Sequence, residues 1–186
     1  MIPFLKSRHK FILLFFYFIY RISVMRYISQ KEFIEHLETN DQEKWRGNVC
    51  GLACVASIIE SEESTKILTA IVSDSWWDEQ YWWKHRSLVG FLRDQWLRAE
   101  TFSYRFFPTF LKKQLSKKFL VIASMKSTEW WHLVIITGFD PETDTVQFYN
   151  PGTKTTEAQV MNLPWSTFLP LWKRRGILIT NHDSHL

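Results

Sequence analysis

The first half of the chain carries apolar residues at helical spacing. Ser29 and Glu32 have the spacing of a capping box, which predicts that a helix opens there and continues to Leu37. The same periodicity predicts further helices over residues 50–60, 66–72, 87–97 and 109–118. The third of these would turn four large side chains toward the core: Leu88, Phe91, Leu92 and Trp96.

From Phe119 onward the pattern changes to short apolar and alternating runs, which are typical of strands. With an earlier alternating run, the predicted strands are 100–106, 119–123, 132–137, 145–149, 158–161 and 176–180. A short helix is expected at 166–172. Because the helices precede most of the strands, the sequence predicts an α+β fold in which a helical lobe packs on an antiparallel sheet.

The segment Trp76–Trp83 fits neither pattern, with five aromatic residues in eight, WWDEQYWW. Its ordinary interpretation is a loop whose aromatic rings fold back on the core. The functional alternative is an aromatic wall beside a substrate cleft. We expect the loop.

Charge is distributed unevenly along the chain. Residues 1–24 contain four basic residues and no acidic one, so the rest carries 19 basic and 19 acidic residues. The pI of about 9.1 therefore reflects the N-terminal segment alone. Since the chain lacks a basic stripe, we expect no nucleic acid as a partner.

The apolar run at residues 11–20 follows those basic residues and is too short for a comfortable membrane span of ~20 residues. Three interpretations of this segment are open: an uncleaved membrane anchor, a degenerate signal sequence, or untranslated leader before a start at Met25. The protein would be cytoplasmic with that start, and could contact a membrane through 11–20 without it. In each case we expect residues 25–186 to form one folded domain, whose oligomeric state the sequence leaves open.

Cys50 and Cys54 are the two cysteines of the chain. Four residues apart on one predicted helix, they have poor geometry for a disulfide. The six histidines show no metal-ligand spacing, so we expect neither a metal nor another cofactor.

The two thiols occupy different positions on their predicted helix. Cys50 heads it and is followed by Gly51, where unpaired N–H groups and the helix dipole stabilise a thiolate. Cys54 lies one turn deeper and is expected to be a small buried hydrophobic residue. Cys50 is therefore the candidate nucleophile.

Two further candidates lie far downstream. His132 begins an apolar predicted strand, and Asn150 ends the next one. As a general base, His132 would form an ion pair with the Cys50 thiolate and later protonate the leaving group. Asn150 has a second interpretation as a turn residue, because Asn-Pro-Gly is favourable turn chemistry, and both interpretations can hold.

Three motifs in this order resemble the papain-like cysteine peptidases, and within them the bacteriocin-processing, double-glycine branch. They are Cys-Gly-Leu-Ala-Cys at 50–54, His-Leu-Val-Ile-Ile-Thr-Gly-Phe-Asp at 132–140 and Tyr-Asn-Pro-Gly at 149–152, and the resemblance covers roughly residues 42–179. Many members of that branch carry Asp where this chain has Asn150. The glutamine that usually precedes the cysteine closely is displaced here to Gln42, eight residues upstream.

The resemblance implies a cysteine hydrolase that cleaves a peptide or related amide through an acyl-thioester on Cys50. It implies that His132 is the base, that Asn150 orients it, and that the Gln42 amide helps the Cys50 N–H to hold the oxyanion; Asn48 is a second candidate for that donor. Two alternatives remain open. The same thiol could transfer an acyl group to an amine, or the fold could be a non-catalytic binding module that grips a partner with its aromatic segment.

Overall fold

An antiparallel sheet is the centre of the fold. The computed structural model describes residues 27–35, 37, 42, 49–59, 77–78, 82–103, 108–126, 131–152 and 160–180. Within them the sheet contains β3 (Arg98–Phe102), β4 (Leu120–Lys126), β5 (Trp131–Asp140), β6 (Thr145–Tyr149), β7 (Val160–Pro164) and β8 (Trp172–Thr180). The strand order is β3-β8-β4-β5-β6-β7, and every neighbouring pair is antiparallel.

Helices cover both faces of this sheet. They are α1 (Gln30–Glu35), α2 (Cys50–Ile59), α3 (His85–Asp94), α4 (Pro108–Ser116) and α5 (Trp165–Leu171). Alternation along β5 separates two cores: Leu133 and Ile135 pack with α1, α2 and α3, whereas Val134 and Ile136 pack with α4 and α5. The two cores differ in the size of the side chains that fill them. The first contains the small residues of α2, and the second contains stacked aromatic rings of Trp165, Phe168 and Trp172.

Helix α2 is buried along nearly its whole circumference. Every residue from Cys50 to Ile59 is buried except Ile58, which is half-buried. The segment CGLACVASII contains no charged side chain, and a helix that is apolar all round is one that the rest of the domain encloses. Its glycine and alanines let the neighbouring elements approach closely, which fixes the position of the thiol at its first turn.

The chain just before α1 is bound to the end of β6. The Tyr149 hydroxyl donates to the Ile28 carbonyl, and the Gln30 N–H donates to the Pro151 carbonyl at 2.9 Å. The Ile28 N–H also donates to the Ser57 hydroxyl on α2 at 3.0 Å. These buried hydrogen bonds join α2, the strand end and the segment entering α1 into one unit.

The structure confirms the α+β prediction, including the helical lobe on an antiparallel sheet. The Ser29 half of the predicted capping box forms, because the Ser29 hydroxyl accepts the Glu32 N–H at 3.0 Å. Helix α2 starts at Cys50 as expected, and β6 has the predicted bounds. Helices α4 and α5 correspond to the predicted helices at 109–118 and 166–172, but their packing on the second face of the sheet was not part of the prediction. The predicted helix at 66–72 lies outside the described residues.

Several strand bounds differ from the prediction: β3 is Arg98–Phe102 where 100–106 was expected, β7 is Val160–Pro164 where 158–161 was expected, and β8 begins at Trp172 where 176 was expected. Two expectations of another kind also differ from the structure. Trp96 is 85% exposed instead of buried, because α3 ends at Asp94. The Leu97 and Trp96 N–H groups bond back to the Leu92 and Arg93 carbonyls, a Schellman ending that places Trp96 in the left-handed region at φ 63°.

The second difference concerns the aromatic segment predicted as a loop. Part of it pairs as two short antiparallel strands, β1 (Trp77–Asp78) and β2 (Trp82–Trp83). Tryptophan has a high strand propensity, which accounts for this hairpin.

Within the described ranges, no helix is both long and apolar enough to cross a membrane. The apolar run at 11–20 lies outside those ranges, so its interpretation stays an expectation.

Candidate active site

Cys50 is the first residue of α2. The Val49 carbonyl accepts the Ala53 N–H at 2.8 Å, which is the bond that opens the helix immediately before the thiol. The N–H groups of a first helical turn have no acceptor within their own helix, and the helix dipole is positive at this end. The position therefore favours the thiolate form of Cys50.

Cys54 lies one turn further into the same buried helix, away from the N–H groups of its first turn. It is fully buried, and its Sγ donates to the Leu133 carbonyl at 3.5 Å. Burial raises the pKa of the Cys54 thiol well above its ordinary value, and the nearby Cys50 adds to that rise. Neither cysteine forms a disulfide. Cys54 is thus a structural contact between α2 and β5, as the sequence predicts.

That contact places α2 against the start of the strand that carries His132. Leu133, which accepts the Cys54 thiol, directly follows His132 on β5. Cys50 lies four residues before Cys54, or ~6 Å along the helix axis at 1.5 Å per residue. The first turn of α2 and the start of β5 therefore belong to the same region of the first core.

His132 and Asn150 are hydrogen-bonded to each other. The His132 Nε2 and the Asn150 Oδ1 are 2.5 Å apart. The pairing of β5 with β6 brings His132 and Asn150 together. Ile135 lies opposite Tyr149, His132 lies three residues before Ile135, and Asn150 directly follows Tyr149. Two of the residues predicted from sequence thus meet with the atoms that the hypothesis requires.

The hydrogen bonds around Asn150 determine the tautomer of His132. Asn150 Oδ1 also accepts the Gly152 N–H at 2.9 Å, so the amide presents its oxygen to both partners. A carbonyl oxygen only accepts, so His132 Nε2 must carry the proton. In the neutral ring Nδ1 then has the lone pair, which is the form of a general base.

Burial lowers the pKa of His132 below its ordinary value, and the Asn150 hydrogen bond opposes this with a smaller rise. Burial disfavours the imidazolium, whereas an acceptor at Nε2 stabilises it. A nearby thiolate would raise the pKa of His132 further, so the ring is suited to an ion pair with Cys50.

Gln42 is half-buried, and its Nε2 donates to the Leu37 carbonyl at 2.9 Å. The amide nitrogen carries two N–H groups, so one such bond does not occupy its full donor capacity. Its oxyanion role stays a prediction. Asn48 lies outside the described residues.

Sequence reasoning missed the part that Gly152 takes in this site. A Cβ added to Gly152 would lie 2.9 Å from His132 Cε1 and 3.2 Å from Asn150 Oδ1. The signal was the Asn-Pro-Gly motif, which was interpreted as turn chemistry for Asn150 alone. Among the residues the structure describes, no three His, Cys, Asp or Glu side chains group as metal ligands.

A sequence profile of the Peptidase_C39 like family matches residues 24–178. The chain belongs to this family. The match includes all four predicted site residues and confirms the resemblance to the double-glycine peptidases. Membership supports a cysteine peptidase, the activity expected from sequence. No curated protein matches the chain significantly in sequence.

Three solved peptidase domains are similar to this chain at low identity, and the first of them shows the shared fold. The peptidase domain of Streptococcus ComA, described as a bi-functional ABC transporter involved in a quorum sensing pathway, is 14% identical with a TM-score of 0.54, covering 73% of this chain and 93% of its own. The peptidase domain of Streptococcus mutans ComA is 12% identical with a TM-score of 0.47, covering 72% and 93%. A double glycine motif protease from an AMS/PCAT transporter, in complex with its leader peptide, is 14% identical with a TM-score of 0.47, covering 70% and 82%.

Proposed function

We propose that the protein is a cysteine peptidase that cleaves a peptide bond through an acyl-thioester on Cys50. His132 is the general base and acid, and Asn150 orients it. The observation that carries the proposal is the bond between His132 Nε2 and Asn150 Oδ1, with that oxygen held by the Gly152 N–H. This arrangement leaves Nδ1 as the atom that exchanges a proton with the thiol.

Acylation begins with transfer of the Cys50 thiol proton to His132 Nδ1. The thiolate attacks the scissile carbonyl carbon and forms a tetrahedral intermediate. As the carbon–nitrogen bond breaks, Nδ1–H of His132 donates its proton to the leaving amine. The products are the free amine and an acyl-thioester on Cys50.

Deacylation repeats the proton transfers with water. His132 Nδ1 takes a proton from a water molecule that attacks the thioester carbonyl, and it then protonates the departing thiolate. Asn150 exchanges no proton in either stage. Its function is to keep Nε2 protonated and the ring plane fixed.

The oxyanion of both intermediates needs donors near the first turn of α2. The Cys50 N–H is one, and Gln42 is proposed as the other. Removing a donor of this kind typically lowers turnover by about 10²–10³. A Gln42→Ala variant that keeps full turnover would remove Gln42 from this role.

We also propose that the domain begins near Met25. The hydrogen bonds of Ile28 to Tyr149 and Ser57, and of Gln30 to Pro151, support this boundary, because they attach the entering segment to the site. A chain starting at residue 25 should fold and keep the activity of the full chain. A chain starting at residue 31 lacks these bonds and should not.

The test is detection by mass spectrometry of a covalent adduct on Cys50. Peptides that carry an electrophilic group in place of the scissile amide should modify Cys50 in the parent and in Cys54→Ala. Cys50→Ala and His132→Ala should give no adduct. An adduct in Cys50→Ala would contradict the assignment, and a parent that binds peptide without an adduct would indicate a binding module.

A further inference from the structure

We infer that Gly152 is a positioning residue for His132, on the proposed function that makes His132 the base. Its backbone N–H fixes the Asn150 carbonyl oxygen, and its missing side chain leaves the space that the imidazole occupies. The two contributions are separate, and each follows from a different set of contacts.

The first contribution is the orientation of the Asn150 amide. Gly152 N–H donates to Asn150 Oδ1 at 2.9 Å, which closes an Asx turn over Pro151. An amide in the reverse orientation would place its NH₂ group against this N–H, two donors facing each other. The Gly152 N–H thereby selects the orientation in which Oδ1 faces His132, and this orientation keeps the proton on Nε2.

The second contribution is space. A Cβ on residue 152 would lie 2.9 Å from His132 Cε1 and 3.2 Å from Nε2, closer than ordinary van der Waals contact. Gly152 is exposed and its φ is outside the left-handed region, so neither core packing nor backbone conformation requires glycine here. The imidazole ring, which has the shortest contact, and the Asn150 amide oxygen at 3.2 Å are the groups that an added methyl would displace.

A displaced ring changes the chemistry in a defined direction. Moving Nε2 away from Asn150 Oδ1 weakens the hydrogen bond that stabilises the imidazolium. The pKa of His132 should then fall, and the Nδ1–H tautomer, which cannot accept the thiol proton, should become populated. Both changes reduce the thiolate–imidazolium pair at neutral pH.

The experiment compares Gly152→Ala with Gly138→Ala, a matched change on the strand that carries His132. A Cβ at Gly138 would meet Gln147 Oε1 at 3.6 Å, an ordinary contact. Long-range nitrogen–proton NMR spectra of His132 report its tautomer and pKa. Iodoacetamide alkylation of Cys50 at pH 7 reports the reactive pair.

Gly152→Ala should lower the pKa of His132, reveal Nδ1–H signals and slow Cys50 alkylation on the order of tenfold. Gly138→Ala should match the parent in the pKa of His132, in its tautomer and in the rate of Cys50 alkylation. Unchanged tautomer, pKa and alkylation in Gly152→Ala would overturn the inference. If the parent thiol is unreactive, the proposed function fails, while the NMR signals still decide the role of Gly152.

A measurement on the parent covers the case in which Gly152→Ala does not fold. The Gly152 Hα that occupies the Cβ direction must lie close to His132 Hε1, so a strong nuclear Overhauser effect should connect the two protons. In Asn150→Ala the Gly152 amide should exchange faster with solvent. Absence of the Overhauser effect, or unchanged amide exchange, would contradict the inference.

Discussion

His132 and His85 are two partly buried histidines that differ in what holds them. His132 bonds through Nε2 to an amide oxygen that only accepts, and this bond raises its pKa against the effect of burial. His85, the first residue of α3, has its Nε2 3.1 Å from the Ser124 hydroxyl, which can donate or accept. Burial, with the nearby Arg175 charge, lowers the pKa of His85 to about 4.

The comparison shows that burial is the larger cause of the lowered pKa in both rings, and that the hydrogen-bond partner is what distinguishes the two. An acceptor at Nε2 fixes the tautomer of His132 and stabilises its charged form. Burial, together with the nearby Arg175 cation, disfavours the charged form of His85 and lowers its pKa to about 4, so that ring stays neutral at every pH well above 4. His132 keeps its Nδ1 lone pair for proton transfer, and His85 is suited to a structural contact.

The largest expected effect separates the two histidines by activity. His132→Ala should lower peptide turnover by at least about 10², the lower end of general acid–base contributions. His85→Ala should keep turnover within a few-fold of the parent once corrected for the folded fraction. Steady-state rates of both variants provide the test, and equal losses would remove the distinction.

The hydrogen-bond partners of the two histidines, Asn150 and Ser124, should also differ in their effect on activity. Asn150→Ala should lower turnover roughly tenfold to a hundredfold through misorientation of the ring. Ser124→Ala should instead cost about 1 kcal/mol of folding free energy, the usual value of one hydrogen bond, without a change in the pH profile. Urea unfolding and rate measurements on both variants separate the two outcomes.

A charge at residue 150 sharpens the comparison further. Asn150→Asp should retain much of the activity and raise the pKa of His132, because a carboxylate stabilises the imidazolium. The ion pair then persists to higher pH, so the basic limb of the rate profile moves upward. A basic limb that stays in place would leave Asn150 as a turn residue only.

A further difference, which leaves activity at neutral pH unchanged, concerns acid stability. His85 binds a proton near pH 6.5 when unfolded and only near pH 4 when folded, so the free energy of unfolding decreases as pH falls through this window. The loss amounts to about 3 kcal/mol at pH 4. His85→Gln should remove this acid-dependent loss of unfolding free energy. His132→Gln should remove a smaller loss, because the Asn150 hydrogen bond opposes the effect of burial on the pKa of His132. Equal acid sensitivity in both variants would contradict this.

Local sequence signals were sufficient to predict the helix start and the strands that carry the site residues. The Cys50 helix start, the apolar strand after His132 and the Asn-Pro-Gly end of β6 each depend on neighbouring residues, and the structure has all three. The capping of α1 by Ser29 is equally local.

Features that depend on distant contacts could not be predicted. The bond from Tyr149 to Ile28 joins residues 121 apart, and no periodicity marks it. The exposure of Trp96 follows from a helix ending in which a tryptophan occupies the position usually held by glycine. The space that Gly152 provides becomes visible only when the His132 ring lies against it.

The pH dependence of thiol labelling tests the central claim most directly. A thiol-directed electrophile at pH 6 should modify Cys50 fast and selectively in the parent, and this selectivity should be lost in His132→Ala but kept in His85→Ala. Cys54 should react slowly throughout, because burial raises the pKa of its thiol. Slow, equal labelling of Cys50 and Cys54 at pH 6 would contradict an activated thiolate at Cys50.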